Sequence, residues 1–473
     1  MIFSSSLFLL LFLPAFLILY YLADKRYKNL VILVSSILFY AWGAPRFIFV
    51  ILFTTFLDFH LVKWMDRSTS SRIRRLLLVL SVSMNLSLLF YFKYCNFFID
   101  NFNRVFGAEH WHIAPLTSLV LPIGISFYTF ETLTYVIDVY RRVHAPLKKF
   151  WDYQLYIILF PKLIAGPIVR YHEIADQISD RSANDTIDNR LTGFYRFVMG
   201  LGKKVLIANV VGKYADEILK LDPHNLSTLT AWMGILGYTF QIYFDFSGYS
   251  DMAIGIGKMI GFKFPENFDN PYTSGSITEF WRRWHMTLGS WMRNYLYIPL
   301  GGNKVPKYRL YFNLWFVFLA SGFWHGASWN FILWGAYHGL FLVLERLFLL
   351  KVYARIGRIP GVIITFTLVV LGWVFFRMEH LSTAVAYFHT LFGFTHLPTM
   401  FFNKEFRYML IVAACFSFFV LVPGFSKIQN YFYGSVQKPA GHILLTLLML
   451  LLFTLSLSSI TSADFNPFIY YRF

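Results

Sequence analysis

The chain has 473 residues, of which 57% are hydrophobic, 21% aromatic and only 14% charged. That balance excludes a water-soluble globular surface and marks a protein that crosses a membrane several times. Its net charge of +17 is what basic cytoplasmic loops produce in such a protein, so no nucleic-acid partner is implied. The two cysteines, Cys95 and Cys415, lie in apolar aromatic surroundings and exclude both a disulfide framework and a cysteine-based zinc site.

Apolar runs of spanning length occur at 7–23, 29–43, 46–62, 76–93, 117–139, 193–213, 229–257, 311–323, 329–345, 361–377, 407–424 and 442–460. The fold class expected is all-α: a polytopic membrane protein of about 11–12 transmembrane helices plus re-entrant segments. The opening run "MIFSSSLFLLLFLPAFLILYYLA" has no charged leader and no small-residue cleavage site, so it reads as the first span and not as a signal peptide. Lys25, Arg26 and Lys28 follow that run, and Lys63, Arg67, Arg72, Arg74 and Arg75 follow the third. These loops face the cytoplasm, the alternation continues along the chain, and both termini come out on the outer face.

Two stretches interrupt the pattern. "YIILFPKLIAGPIVRYH" (156–172) carries Pro161, Gly166 and Pro167, and the 271–308 region carries Pro271, Gly289, Pro299, Gly301 and Gly302. Backbone freed by such breaks cannot face lipid, so these pieces are buried in protein or line a wet cavity. The longest polar loop, 172–190, is too short to fold alone, which leaves one membrane domain over 1–473 ending in an aromatic tail, 466–473.

Taken in chain order, the residues able to do chemistry begin with "HEIAD" (172–176), which lacks the His-x4-Asp spacing of soluble glycerolipid acyltransferases. "YFDFSGYSDMAIGIG" (243–257) places Asp245 and Asp251 six residues apart inside an apolar run, where pairing with a nearby Arg or capping of a helix break is favoured over catalysis. "GIGKMIG" (255–261) imitates a dinucleotide loop but follows an apolar helix and not a strand, so it reads as a helix end.

The densest cluster is "FWRRWHMTLGSWMRNYLYIPLGGN" (280–303), with His285 among Trp281, Trp284 and Trp291. Arg282, Arg283, Arg293, Lys304 and Lys307 are either a cytoplasmic positive belt or a cradle for the phosphates of a nucleotide-bearing donor, a task that suits the forked donors of Arg. "SGFWHGASWN" places His325 between Gly322 and Gly326 at the junction of two short spans. An ionisable group at membrane depth is costly, which favours function over a packed neutral imidazole at His325, whereas His285 balances between function and an interfacial role. A neutral imidazole in a partly dry cavity is able to take a proton from a hydroxyl as it attacks a carbonyl, and needs no metal. Serine-hydrolase chemistry is disfavoured because no G-x-S-x-G elbow occurs. The tail "NPFIYYRF" reads first as an interfacial aromatic belt, with Tyr470 as a reactive hydroxyl the minority reading.

The blocks "LPIGISFYTFETLTYVIDVYR", "FPKLIAGPIVR", "QIYFDFSGYSDMAIGIG", "FKFPENFDNPY", "ITEFWRRWHMTLGSWMRNYLYIPLGGN" and "FWHGASWNFILWGAYHG" together resemble the membrane-bound O-acyltransferase (MBOAT) family. The similarity is greatest to its bacterial branch of alginate O-acetyltransferase membrane subunits, with relatives acting on cellulose, peptidoglycan and teichoic acid. The resemblance implies that His325 is the catalytic histidine and His285 a second important polar position. It also implies helices in a ring around a thin centre, with funnels on both faces. The implied donor is acetyl-CoA from the cytoplasm, a substrate and not a bound cofactor. The implied partner is an exported, periplasmic polysaccharide O-acetyltransferase, and the implied location a bacterial inner membrane, in contact with its lipids. The tail is similar to a C-terminal aromatic motif of the teichoic acid D-alanylation machinery, which carries Tyr470 over as a candidate acyl relay. Tyr471 stands where that motif has Phe.

Two other readings stay open at this stage. A transporter of an acylated lipid or polymer also has broken helices and midplane polar residues, but no half-and-half repeat is visible here. A purely structural subunit that recruits an exported partner would tolerate loss of both histidines.

Overall fold

The computed structural model describes residues 2–106, 113–116, 120–394, 397, 400, 402–434, 439–462 and 469. Among these residues the secondary structure is helical throughout, with no strand, as an all-α membrane protein requires. Helices Ile48–Arg67, Ser71–Phe106, Arg358–Arg377 and Pro439–Ser462 are long and apolar enough to cross a membrane. Lys404–Leu421 and Phe425–Tyr433 add a fifth if a pair bent by 102° is one span.

The other apolar runs form helices that fall short of that test. Within the 117–139 run, for example, helix Ile125–Tyr140 starts at Gly124 and buries Glu131 and Asp138 along with its apolar residues. A helix enclosed by protein needs neither continuous apolarity nor full bilayer length, because its neighbours supply the polar partners. The opening run divides into a π-helical turn, Phe8–Phe12, and helix Leu13–Leu22.

The chain forms two compact units. The first comprises Met1–Gly193 and Ile256–Pro265. Here the two motifs "LPIG" and "FPKL" lie against each other: Gly124 has φ +77°, and a Cβ there would stand 2.4 Å from the Leu163 carbonyl oxygen. Glu131 and Lys162 form an ion pair with no solvent exposure to speak of, 1% and 0%. The ammonium also lies 4.7 Å from the centre of the Tyr156 ring, whose hydroxyl donates to Val169 O at 2.9 Å. A buried charge of this kind persists only when paired. The helix Thr228–Met259 ends beside Gly261, φ +82°, so "GIGKMIG" is indeed a helix end.

The second unit comprises Phe194–Gly255 and Glu266–Phe473 and contains the histidine blocks. Its core is aromatic, with Tyr272, Phe280, Trp284, Trp334, Trp373 and Phe376 in one cluster. Tyr272 stacks on Phe280 at 6.3 Å between ring centres, Trp284 meets Trp373 at 4.9 Å, and Trp334 meets Phe376 at 5.1 Å. Such ring pairs add to the area they bury and fix side-chain positions more sharply than aliphatic contacts do.

Candidate functional site

The stretch 267–291 is a broken segment held by a few bonds. Asp269 N–H donates to Arg283 O and Met286 N–H to Asn267 O, each at 2.9 Å, so the residues before and after helix Ile277–Arg283 are tied together. That helix starts at Ser276, whose Oγ accepts from Glu279 N–H at 3.0 Å. The Glu345 carboxylate completes the cap from a distant helix, accepting from Ile277 N–H at 2.5 Å, Thr278 N–H at 2.8 Å and the Thr278 hydroxyl at 2.6 Å. A negative charge is well placed at this end, where unpaired N–H groups and the helix dipole converge.

The helix stops before His285, which adopts φ +45°, ψ +52°, a left-handed conformation rare for a residue with a side chain. This turn sends the chain into helix Met286–Trp291 and leaves the imidazole 1% exposed. Its Nδ1 lies 3.1 Å from Asn267 Oδ1. Phe246 meets the ring edge-on at 4.7 Å between centres.

His325 closes helix Lys307–His325, and helix Trp329–Leu344 turns back along it. The two helices approach closely because glycine faces the partner backbone: a Cβ at Gly322 would stand 2.2 Å from Phe331 O, and one at Gly335 2.3 Å from Phe318 O. Gly322 therefore permits a close approach of the two backbones. It leaves His325 4% exposed, with its ring 4.9 Å from Trp324, 5.2 Å from Trp334 and 5.2 Å from Phe376.

Trp324 also meets the His285 ring, at 6.4 Å between centres, so both histidines pack on one indole. A third buried histidine, His338, extends the set: its ring lies 5.2 Å from Trp334 and 5.0 Å from Trp281. Sequence reasoning misses it within "GAYHG", although an ionisable residue in an apolar run is the same signal that singles out His325.

The remaining sequence candidates are not gathered at the imidazoles. Arg282 and Arg293 are exposed, and Arg283 pairs with Glu279 at 2.9 Å and Asp269 at 3.5 Å. Asp251 pairs with Arg196 at 2.7 Å, as expected, and with Lys203 at 2.6 Å, whereas the cation beside Asp245 is Lys204, at 2.8 Å, and not the Arg expected there. Tyr470 lies outside the described residues. Its neighbour Ile469 is 6% exposed and donates its N–H to Asp245 Oδ2 at 2.9 Å.

A cavity of about 910 Å³ opens in the same unit, with a mostly apolar wall that includes Met199, Phe244, Met409 and Phe416. Asn267 and Met286 line it, whereas the wall includes neither His285 nor His325. Its volume suits an organic ligand of cofactor size or a lipid chain.

Residues 3–356 match the family model described as "MBOAT, membrane-bound O-acyltransferase family". Over the full length of both chains the sequence is 40% identical to "Probable alginate O-acetylase AlgI" of Pseudomonas putida. It is 36% identical to the "Peptidoglycan O-acetyltransferase" of Helicobacter pylori, over 86% of this chain and 82% of that one. The "Teichoic acid D-alanyltransferase" of Bacillus subtilis is 29% identical over 54% of this chain and 69% of its own length.

Proposed function

Since the chain belongs to the membrane-bound O-acyltransferase family, we propose that this acyltransferase takes an acetyl group from cytoplasmic acetyl-CoA and delivers it across a bacterial inner membrane for O-acetylation of an extracytoplasmic polysaccharide. An exported acetyltransferase completes the transfer to the polymer. The kinship with alginate and peptidoglycan O-acetylating proteins supports an acetyl group and a polysaccharide acceptor. The single observation that carries the reading is the seating of His285 and His325 on the same Trp324 ring, in broken and glycine-flanked segments.

In this proposal His325 is the general base. It takes the proton of an attacking hydroxyl as that oxygen bonds to the acyl carbon. The carbon–sulfur bond then breaks, and the proton passes to the departing thiolate of CoA. His285 assists the same proton movement. Arg282, Arg283 and Arg293 meet the phosphates of the donor on the cytoplasmic face, a role for which the exposure of Arg282 and Arg293 is favourable. Tyr470 is the hydroxyl that receives the acyl group before release outside, and the seating of Ile469 on Asp245 supports a tail that reaches into the protein.

The test is His325→Ala in inverted membrane vesicles given radiolabelled acetyl-CoA. The variant is expected to insert normally, to consume no thioester and to lose polymer acetylation, by at least the 10²–10⁴-fold typical of a lost general base. Near-normal acetylation would remove the assignment. Polymer export without thioester consumption in the parent protein would make it a transporter.

A further inference from the structure

The assistance given by His285 has two possible forms, donation or acceptance of a proton, and the groups around it select one. Asn267 Oδ1 accepts from the Thr287 hydroxyl at 2.9 Å and lies 3.4 Å from the Thr287 backbone N–H, which is only a donor. Asn267 Nδ2 donates to Ser250 Oγ at 3.0 Å. Turning the amide over would set its NH2 group against that N–H, so the oxygen is the atom that faces His285. An oxygen at 3.1 Å from Nδ1 requires a proton on Nδ1. A neutral imidazole carries one ring proton, and the other nitrogen, Nε2, then holds a lone pair. That nitrogen is buried and has no hydrogen-bond partner among the described residues.

We propose that Asn267 is a positioning residue that fixes His285 in its Nδ1–H form, so that His285 presents Nε2 as a proton acceptor. Its hold on the residue is double. The amide side chain orients the ring, while the Asn267 backbone carbonyl accepts from Met286 N–H at 2.9 Å, next to the left-handed φ of His285. The pattern is that of an outer-shell partner which sets the tautomer of a working histidine. The catalytic meaning of the acceptor rests on the acyl-transfer reading, but the tautomer itself does not.

Nitrogen NMR of the full-length protein in lipid, with ¹⁵N-labelled histidine, reads the tautomer directly. The chain has 13 histidines, so the His285 signal is assigned as the one lost in His285→Gln. The expected native signal is a protonated Nδ1 and a bare Nε2. Asn267→Leu, close in volume and unable to accept, is expected to mix or reverse that assignment and to lower kcat about 10–100-fold at nearly unchanged KM for acetyl-CoA. Asn267→Asp, which keeps an acceptor at the same place, is expected to retain the Nδ1–H signal and to recover most of the rate. Should Asn267→Leu not fold, the Asp variant and the native spectrum still decide. A native Nε2–H signal overturns the proposal, and so does an Asn267→Leu spectrum identical to the parent's. If the tautomer is as stated but no variant alters acetyl transfer, the positioning role in catalysis falls. If the parent itself transfers no acetyl group, the acyl-transfer reading fails instead, and the spectrum still decides the tautomer.

Discussion

At the scale of single residues, burial sorts charged side chains by partner. Glu131 and Lys162 are each almost wholly enclosed and neutralise one another. Lys162→Met strands a carboxylate there and is expected to cost about 3–5 kcal/mol, whereas adding Glu131→Leu should restore most of the loss, because well-packed apolar pairs substitute for buried ion pairs. Thermal unfolding in detergent checks this: a single variant as stable as the parent would contradict the pairing. His285 and His325 were legible because an ionisable ring among glycines and tryptophans stands out against an apolar background. His338 was equally marked but has no helix break beside it, and Asn267 carries no charge and lies 18 residues from the imidazole it touches. Neither proximity to Trp281 nor the bond to His285 is written in local spacing.

At the scale of helices, glycine and proline announced the interruptions in 156–172 and 271–308, and the chain breaks in both. Gly322→Ala should separate the Lys307–His325 and Trp329–Leu344 helices, since the added carbon would fall 2.2 Å from a backbone oxygen that cannot rotate away. A loss of about 1–3 kcal/mol is expected. Gly289→Ala is the matched control: its Cβ would meet only Trp281 O, at 3.6 Å, so the stability should hold or rise by up to ~1 kcal/mol. Parallel melting curves of the two variants separate the cases, and equal losses would mean that the hairpin spacing is not what matters. Glu345→Ala removes the carboxylate from the start of helix Ile277–Arg283 and is expected to cost roughly 1–2 kcal/mol and to expose the 277–291 segment to protease. This cap was not legible, because it comes from another helix.

At the scale of the whole molecule, hydropathy identified a helical membrane protein; twelve apolar runs stand in the sequence, and among the described residues four helices, or five if the bent pair is one span, have the length and apolarity of a span. Helix Ile125–Tyr140, for example, is buried by protein along most of its length, and window-averaged hydropathy does not distinguish such burial from lipid exposure. The family was legible from blocks spread over most of the chain, and the family match covers residues 3–356. The proposed orientation puts the basic 63–75 loop in the cytoplasm. With Cys95 and Cys415 replaced, Thr69→Cys, at an exposed position of that loop, should react with an impermeant thiol reagent only after the membrane is opened; labelling in intact cells would reverse the orientation. The Glu345 cap bears on biosynthesis too. It lies 68 residues beyond Ile277, and a ribosome adding about 5–20 residues per second needs roughly 3–14 s to supply it. The 277–291 segment is therefore synthesised before the carboxylate that clasps it, and its first turn stays without that cap until the later helix arrives.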